Sequence, residues 1–378
     1  MTALRALTIG GAMIDTIAII DKNHIERMSM SNADSSYLLL EEGSKTEAIE
    51  VSTHPGGGAV NAAVAMARLG LEASVVAKIG MDRRGQILLD HLKKEGVETR
   101  WVVRTAEAPT GSSVLISSHD KDAAIFTFRG ANVLLGPEDL PPNAFNVDLV
   151  YVSSLSNGSA DCYPMIVEGT KASGACLAVN PGVRQLSARS GAFRSKLTDV
   201  DILILNRAEA EVLVPELVAV FGDGGPRLQI EEGQQPPRLD VRGLSSGGFQ
   251  MSLVGFLTAL LRSGPRTIVV TDSKGGTFVA DGSAIYHCPV VSAIVAGTAG
   301  AGDAFGATFA ALVAEGSDVS VALRLASANA ASVVGHVDTQ TGLQTRGALD
   351  SDLRLNSGPP FVQRWRHDPS MPKKAIRS

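Results

Sequence analysis

The stretch Gly297-Thr298-Ala299-Gly300-Ala301-Gly302-Asp303-Ala304-Phe305-Gly306 sets one acid among residues with almost no side chain. It follows a β-branched run (Val290, Val291, Ile294, Val295) and opens an apolar, alanine-rich run over residues 307–314. That order reads as strand, small-residue turn and helix start. Such a turn leaves the backbone N–H groups of Ala301, Gly302 and Asp303 free to converge. The helix N-terminus adds partial positive charge there, so the spot suits an anion. A carboxylate is out of place in a plain phosphate nest. It fits if Asp303 takes the proton of a hydroxyl attacking beside a phosphate. The plainer alternative is a tight turn whose Asp303 only caps a helix.

Other residue types could join this chemistry. Asp15 stands just past the strand-like residues 3–9 and the turn Gly10-Gly11. Open α/β sheets gather ligands at the carboxyl ends of their strands, although a turn acid reads equally well there. Pro55-Gly56-Gly57-Gly58 lets backbone approach a ligand and permits positive φ. Asn61, in the first turn of a helix over residues 60–69, suits a polyol or simply caps that helix. Asn206 and Glu209 close a strand over residues 201–205, and their spacing puts both on one face of a starting helix. An amide and a carboxylate suit Mg²⁺ held through water, the rest of its shell coming from phosphates. The same pattern is also a capping box. Asp272-Ser273-Lys274-Gly275-Gly276 is a glycine turn after residues 267–271, either a phosphate loop or a hairpin turn.

Three blocks carry a resemblance. Gly56-Gly57-Gly58-Ala59-Val60-Asn61-Ala62-Ala63, followed by Arg68-Leu69-Gly70, comes first; Asn206-Arg207-Ala208-Glu209 and Gly300-Ala301-Gly302-Asp303 follow. In this order and separation, over roughly residues 5–345, the chain resembles the ribokinase-like (PfkB) sugar kinases. The resemblance implies a three-layer α/β/α core with a mainly parallel central sheet, plus a small β-sheet lid. It implies ATP and Mg²⁺, and transfer of the γ-phosphate to a hydroxymethyl group of a sugar or sugar-like acceptor. In it Asp303 is the general base, and the backbone of Gly300, Ala301 and Gly302 holds charge on the transferred group. Asp15 holds two hydroxyls of the acceptor, Asn61 touches it, and Gly57 and Gly58 line its site. Lys274, Gly275 and Gly276 form the nucleotide loop, Asn329 sits by the adenine, and Asn206 and Glu209 serve Mg²⁺. A homodimer through the lid is a further expectation, with strand faces too polar in sequence to decide it.

Five places depart from that pattern or qualify it. Gly58 stands where ribokinases proper carry a lysine, and Ser153, Ser154 and Leu155 stand where a glutamate helps to hold ribose. Gly297 replaces an acid that contributes to a K⁺ site in ribokinase-like enzymes, which predicts weak or absent monovalent-cation activation. Asp82 resembles a position facing the substrate edge, and a surface turn acid fits it as well. Arg129 is a cation at the junction of lid and core, for which a salt bridge is the common fate. Two rival functions stay open. A nucleoside (adenosine-like) kinase needs an apolar or aromatic clamp, for which the lid offers Phe126 and Phe128. A non-catalytic sugar-binding regulator has no use for Asp303.

The elements that must position these groups alternate along the chain. Strand-helix pairs are read over residues 74–79 and 85–95, with further strands over 148–153, 176–180 and 201–205. The kinase domain is read as residues 1–355. Its lid covers about 16–54 and 97–130, with strands at 37–40, 46–51, 101–104, 112–117 and 124–128 and a charged turn at 119–122. Residues 215–250, rich in paired glycines and prolines, read as a surface insertion. Residues 356–378 read as a flexible tail. The chain has 378 residues, 44% of them hydrophobic, enough for a large core. A formal charge of −5 and only 4% aromatic residues argue against nucleic acid as the main partner. No apolar run reaches the length of a membrane span, and no signal peptide is apparent. Cys162, Cys176 and Cys288 read as free thiols of a cytoplasmic protein.

Overall fold

The computed structural model describes residues 3–21, 26–29, 36–39, 43, 45–118, 123–188, 190–231, 234–355 and 361–366. The first half holds β1 (Arg5–Ile9), β2 (Met13–Ile20), β3 (Glu26–Ser29), β4 (Ser36–Leu39), β5 (Ala48–Gly56), α1 (Gly58–Arg68), β6 (Glu72–Gly80), α2 (Arg83–Lys94), β7 (Val102–Thr105), β8 (Gly111–Ser118), β9 (Ala123–Phe128) and β10 (Leu149–Val152). Next come α3 (Tyr163–Ser173), β11 (Cys176–Val179), α4 (Val183–Ala188), α5 (Ser190–Arg194), β12 (Ile202–Asn206), α6 (Arg207–Phe221), α7 (Arg238–Arg242), β13 (Leu244–Ser246), β14 (Phe249–Met251) and α8 (Leu253–Ser263). The chain continues with β15 (Thr267–Thr271), β16 (Thr277–Ala280), β17 (Ala284–Cys288), α9 (Ala301–Ala314), α10 (Val319–Val334), α11 (Arg346–Leu355) and β18 (Gln363–Arg366).

Ten strands form the main sheet, in the order β18-β17-β16-β15-β12-β11-β10-β1-β6-β7. Every pair from β15 to β7 is parallel, while β16, β17 and β18 extend the sheet antiparallel. A parallel sheet must be covered on both faces, and the buried strands alternate accordingly. Leu149, Tyr151, Ile202 and Ile204 pack with α1, α9 and α10; Val150, Val152, Leu203 and Leu205 pack with α3, α6 and α8. This is the expected three-layer α/β/α core. The chain runs from β1 outward to β6 and β7, then returns to β10 on the other side of β1. That reversal opens a crevice at the carboxyl ends of β1 and β10.

The smaller sheet has the order β5-β2-β8-β9 and begins at Met13, earlier than the expected lid. Asp15 pairs with His54 on one side and Ser113 on the other. The strand read at residues 101–104 is not part of it. β7 runs parallel to β6 at the edge of the main sheet, since a half-covered edge strand alternates just as a lid strand does. β3 and β4 form a separate hairpin. The charged turn at 119–122 lies outside the described residues.

Two further expectations change. The 215–250 insertion is partly core: α6 runs to Phe221, and Leu228, Leu239, Leu244 and Met251 are buried beneath it and α8. The tail contributes β18, which pairs with β17 because its backbone completes the open sheet edge; residues 356–360 and 367–378 lie outside the described residues. Among the described residues no helix is long and apolar enough to cross a membrane. Cys162, Cys176 and Cys288 are free thiols.

Candidate active site

Gly300 sits in the left-handed region (φ 79°) and is the N-cap of α9, with no side chain closing the helix end. Residue 300 needs that freedom, since a Cβ would stand 2.6 Å from the Thr339 Cβ. The N–H groups of Ala301, Gly302 and Asp303 belong to a first helical turn and have no intrahelical acceptor. A Cβ at Gly302 would meet nothing, so the nest is open. Asp303 does not cap the helix. Its carboxylate is part-buried and accepts a hydrogen bond from Asn61 Nδ2 at 2.8 Å. Burial raises its pKa above the ordinary carboxylate value, against the Asn61 hydrogen bond, and the charge of Asp15 pushes in the same direction as burial.

Asn61 does not cap α1 either, since Gly57 is the N-cap and makes no side-chain bond. Its Oδ1 accepts from Thr339 Oγ1 at 3.0 Å and from Gln340 Nε2 at 2.8 Å. Asn61 therefore links Asp303 to the loop after α10. Arg68, on the same helix, fixes that loop by donating to the carbonyls of Gln340 and Leu343 at 2.8 and 3.0 Å. Asp15 is buried, and Ser113 Oγ donates to its Oδ1. Burial raises the Asp15 pKa; Ser113 and His54 partly offset this. Gly57 has φ 97°, and a Cβ there would lie 2.5 Å from the Gly11 carbonyl oxygen. Backbone thus meets backbone where the glycine run passes the β1 turn. Asp82 is tied into structure: it caps α2 through Gly85 N (2.8 Å) and accepts from Thr110 Oγ1 at 2.7 Å.

Asn206 and Glu209 form the reciprocal capping box of α6, with bonds of 2.9 and 2.8 Å. One carboxylate oxygen of Glu209 serves the box, which leaves the other for a ligand. Burial, with the Asp303 charge acting the same way, lifts the Glu209 pKa to about 7. The buried Tyr151 hydroxyl has no hydrogen-bond partner, and both Asp303 and Glu209 act on it electrostatically. This corner carries two crowded acids and an orphan hydroxyl, which fits a hydrated cation. Among the described residues no group of three or more His, Cys, Asp or Glu could hold a metal by itself. Mg²⁺ fits only if phosphates and water complete its shell.

The Lys274-Gly275-Gly276 turn joins β15 to β16, beside Asn206, which pairs with Thr271. It is a hairpin turn, and Lys274 is exposed at its tip. Asn329 is elsewhere. It is fully buried, donating to Thr308 Oγ1 at 2.8 Å and accepting from Gln344 N at 2.9 Å. The expected adenine contact is thus an internal brace between α9, α10 and the loop after α10. Gly297 brings no side-chain oxygen where ribokinase-like enzymes carry an acid, and a Cβ there would stand 3.1 and 3.2 Å from the His336 and Val337 carbonyl oxygens.

A cavity of about 180 Å³ opens on Asp303. Gly10 and Gly11 line it from β1, Gly58 from α1, Ser153 to Ser156 from β10 and Asn180 from β11. A second cavity, of about 380 Å³, lies between the inner lid face (Ile17, Ile19, Leu115) and residues 294–299. Sequence reasoning missed Ser113, Thr339, Gln340 and Tyr151. Register and tertiary contact bring them in, and their types carry no signal of their own.

Known proteins point the same way. The profile described as pfkB family carbohydrate kinase matches residues 15–220 and 252–346, leaving out the insertion. Ribokinase of Bacillus subtilis is 26% identical over 311 residues, covering 80% of this chain and 88% of the relative. Deoxyribokinase of Salmonella typhi is 24% identical over 344 residues, covering 90% and 99%. Among solved structures, Arabidopsis thaliana ribokinase complexed with ribose and ATP superposes with TM-score 0.69 at 19% identity, covering 93% of this chain and 99% of that one. A putative ribokinase II from E. coli, in complex with ATP and Mg²⁺, gives 0.70 at 17% identity, covering 93% and 100%.

Proposed function

The chain belongs to the pfkB family of carbohydrate kinases, a phosphotransferase family with alcohol groups as acceptors, and from that premise we propose that it transfers the γ-phosphate of ATP to a hydroxymethyl group of a small sugar-like acceptor, with Asp303 as general base. The observation that carries this is Asp303 itself, lining a cavity at the sheet crevice, beside an open helix N-terminus. The acceptor oxygen forms the new P–O bond as the bond between the γ-phosphorus and the β-bridging oxygen breaks. Its proton passes to Asp303, and ADP leaves. The N–H groups of Ala301, Gly302 and Asp303 hold charge on the transferred group. Asn61 orients the base, and Asp15 on the lid strand receives acceptor hydroxyls. Gly58 keeps the cavity wall free of a side chain, and Gly57 lets the glycine run pass close to the β1 turn. Asn206 and Glu209 would hold Mg²⁺ through water, and the bound ion would neutralise phosphate charge. The turn at Lys274, Gly275 and Gly276 faces the nucleotide; Asn329 has no part in that contact. The lid closes over the acceptor so that water does not take the phosphate.

The second cavity favours one other reading, a nucleoside acceptor with its base under the lid. Among the described residues no aromatic side chain lines that cavity. Phe126 and Phe128 stand opposite Val114 and Ser112, whereas Asp15 stands opposite Ser113, so both rings lie on the outer lid face. The sugar reading is therefore the stronger. Product analysis by ³¹P NMR over a panel of sugars and nucleosides, with Mg-ATP, separates the two. A new phosphomonoester on a sugar, absent with Asp303→Asn, is expected. ATP hydrolysis without an acceptor product, or undiminished transfer by Asp303→Asn, removes the base assignment.

A further inference from the structure

Among the described residues, the cavity at Asp303 is lined by two charged side chains, Asp303 and Arg129. Arg129 follows β9 and is held in place by its own backbone. Asn132 donates from Nδ2 and from its backbone N to the Arg129 carbonyl at 2.9 and 3.1 Å. Asn132 in turn clamps Ala12 with two bonds of 2.8 Å. The guanidinium is half-buried and makes no ion pair among the described residues. The charge that acts on it is another cation, Arg184, on the short α4 that follows the cavity residue Asn180. Burial and this repulsion both weigh against the charged form. An arginine kept half out of water beside a second arginine, with no carboxylate paired to it among the described residues, is short of an anion. Asp303, the one carboxylate of the lining, is not among the charges that act on Arg129, and the rest is glycines, serines, two amides and a few apolar residues, so no anion in the cavity pairs with the guanidinium.

We propose that the acceptor is an anionic sugar, whose carboxylate or phosphate is bound by Arg129, with Arg184 beside it, while its free hydroxyl meets Asp303. The proposal rests on the kinase reading and narrows its substrate class. A fork of N–H donors on a carboxylate or phosphate forms charge-assisted bonds that a neutral hydroxyl cannot match. A neutral sugar in the same cavity would strip water from the guanidinium without replacing it, so the site selects against it.

The test uses the full chain and three arms: neutral sugars, the corresponding aldonic acids and the corresponding sugar monophosphates. Each is read by ATP turnover and by thermal shift without nucleotide. One anionic arm is expected to exceed its neutral parent in kcat/KM by at least roughly tenfold, and to raise Tm where the parent does not. The responding arm identifies carboxylate or phosphate. Arg129→Gln collapses that preference through acceptor KM, Arg129→Lys restores part of it, and Arg184→Gln, at an exposed position, gives a smaller loss. Preference for neutral sugars, no Tm shift with either anion, or a preference unchanged in Arg129→Gln overturns the proposal. Turnover confined to neutral sugars removes this inference and leaves the kinase reading intact. An Arg129-dependent shift by an anion with no ATP consumption in any arm does the reverse.

Discussion

Asp303 is a carboxylate held where its charge is unwelcome, and that tension is measurable. Burial and Asp15 raise its folded pKa, so the folded state binds that proton more tightly than the unfolded chain does. Stability from this group therefore falls as pH rises from the ordinary carboxylate value through the raised one. Above the raised value the penalty is fully present. Asp303→Asn removes the charge while Asn61 can still donate to the new amide oxygen. The expected outcome is a higher Tm at pH 7 with no gain in acid below the ordinary carboxylate range. A calorimetric melt series checks this; an unchanged or lower Tm at pH 7 contradicts it. The same variant should lose roughly 10²- to 10⁴-fold in kcat, the usual contribution of a positioned base. In the wild type, kcat/KM should fall on acidification at a pH above the ordinary carboxylate range. Exchange of Na⁺ for K⁺ should leave kcat nearly unchanged, because residue 297 has no side-chain carboxylate to offer. Asp303 was legible in the sequence since glycine, alanine and acid are contiguous there. Ser113 was not, because 98 residues separate it from Asp15 and only strand register joins them.

Elements were legible in proportion to how strongly their own residues dictate them. The parallel strands are continuous apolar runs, and α1 ends in Arg68-Leu69-Gly70, so both read directly. β7 misled because edge exposure produces the same alternation in a parallel strand as in a lid strand. The insertion misled for another reason. Its glycines and prolines mark turns, while the few residues that anchor it, Leu244 and Met251 among them, are sparse and only tertiary contact shows them buried. The β13-β14 hairpin lies against α6, which carries Asn206 and Glu209 at its start. Met251→Ala or Leu244→Ala should therefore cost about 2–5 kcal/mol, as core truncations do, although residues 221–251 fall outside the family match. Denaturant unfolding measures it, and a loss under about 0.5 kcal/mol would return the hairpin to the class of surface excursions. Gly57→Ala should be severe as well, since a positive φ and a backbone contact forbid the methyl together.

At the scale of the whole molecule the open question is what covers the lid. Side chains alternate across it, and Asp15, Ser113 and Leu115 take the inner face. The outer face then carries Val51 and Thr53 from β5, Thr16 and Ala18 from β2, Val114 and Ile116 from β8, and Phe126 and Phe128 from β9. None of these is charged. Val51, Val114, Phe126 and Phe128 are exposed, and aromatic and β-branched side chains left in water on one sheet face mark an interaction surface. Read strand by strand the face seemed too polar to decide; only the register gathers its apolar residues into one patch. An uncharged sheet face matches itself across a twofold axis without bringing like charges together, and two such sheets stack face to face at the usual sheet spacing. We expect a homodimer joined lid to lid, in which each lid is steadied by its partner over the acceptor cavity. Light scattering during gel filtration at micromolar concentration should give twice the chain mass, and Phe126→Asp should give the monomer with an unchanged far-ultraviolet spectrum. The monomer should show a raised acceptor KM, because a lid without its partner closes less well, whereas the KM for ATP, bound away from the lid, should hold. A wild-type monomer, or a Phe126→Asp dimer, would place the contact elsewhere.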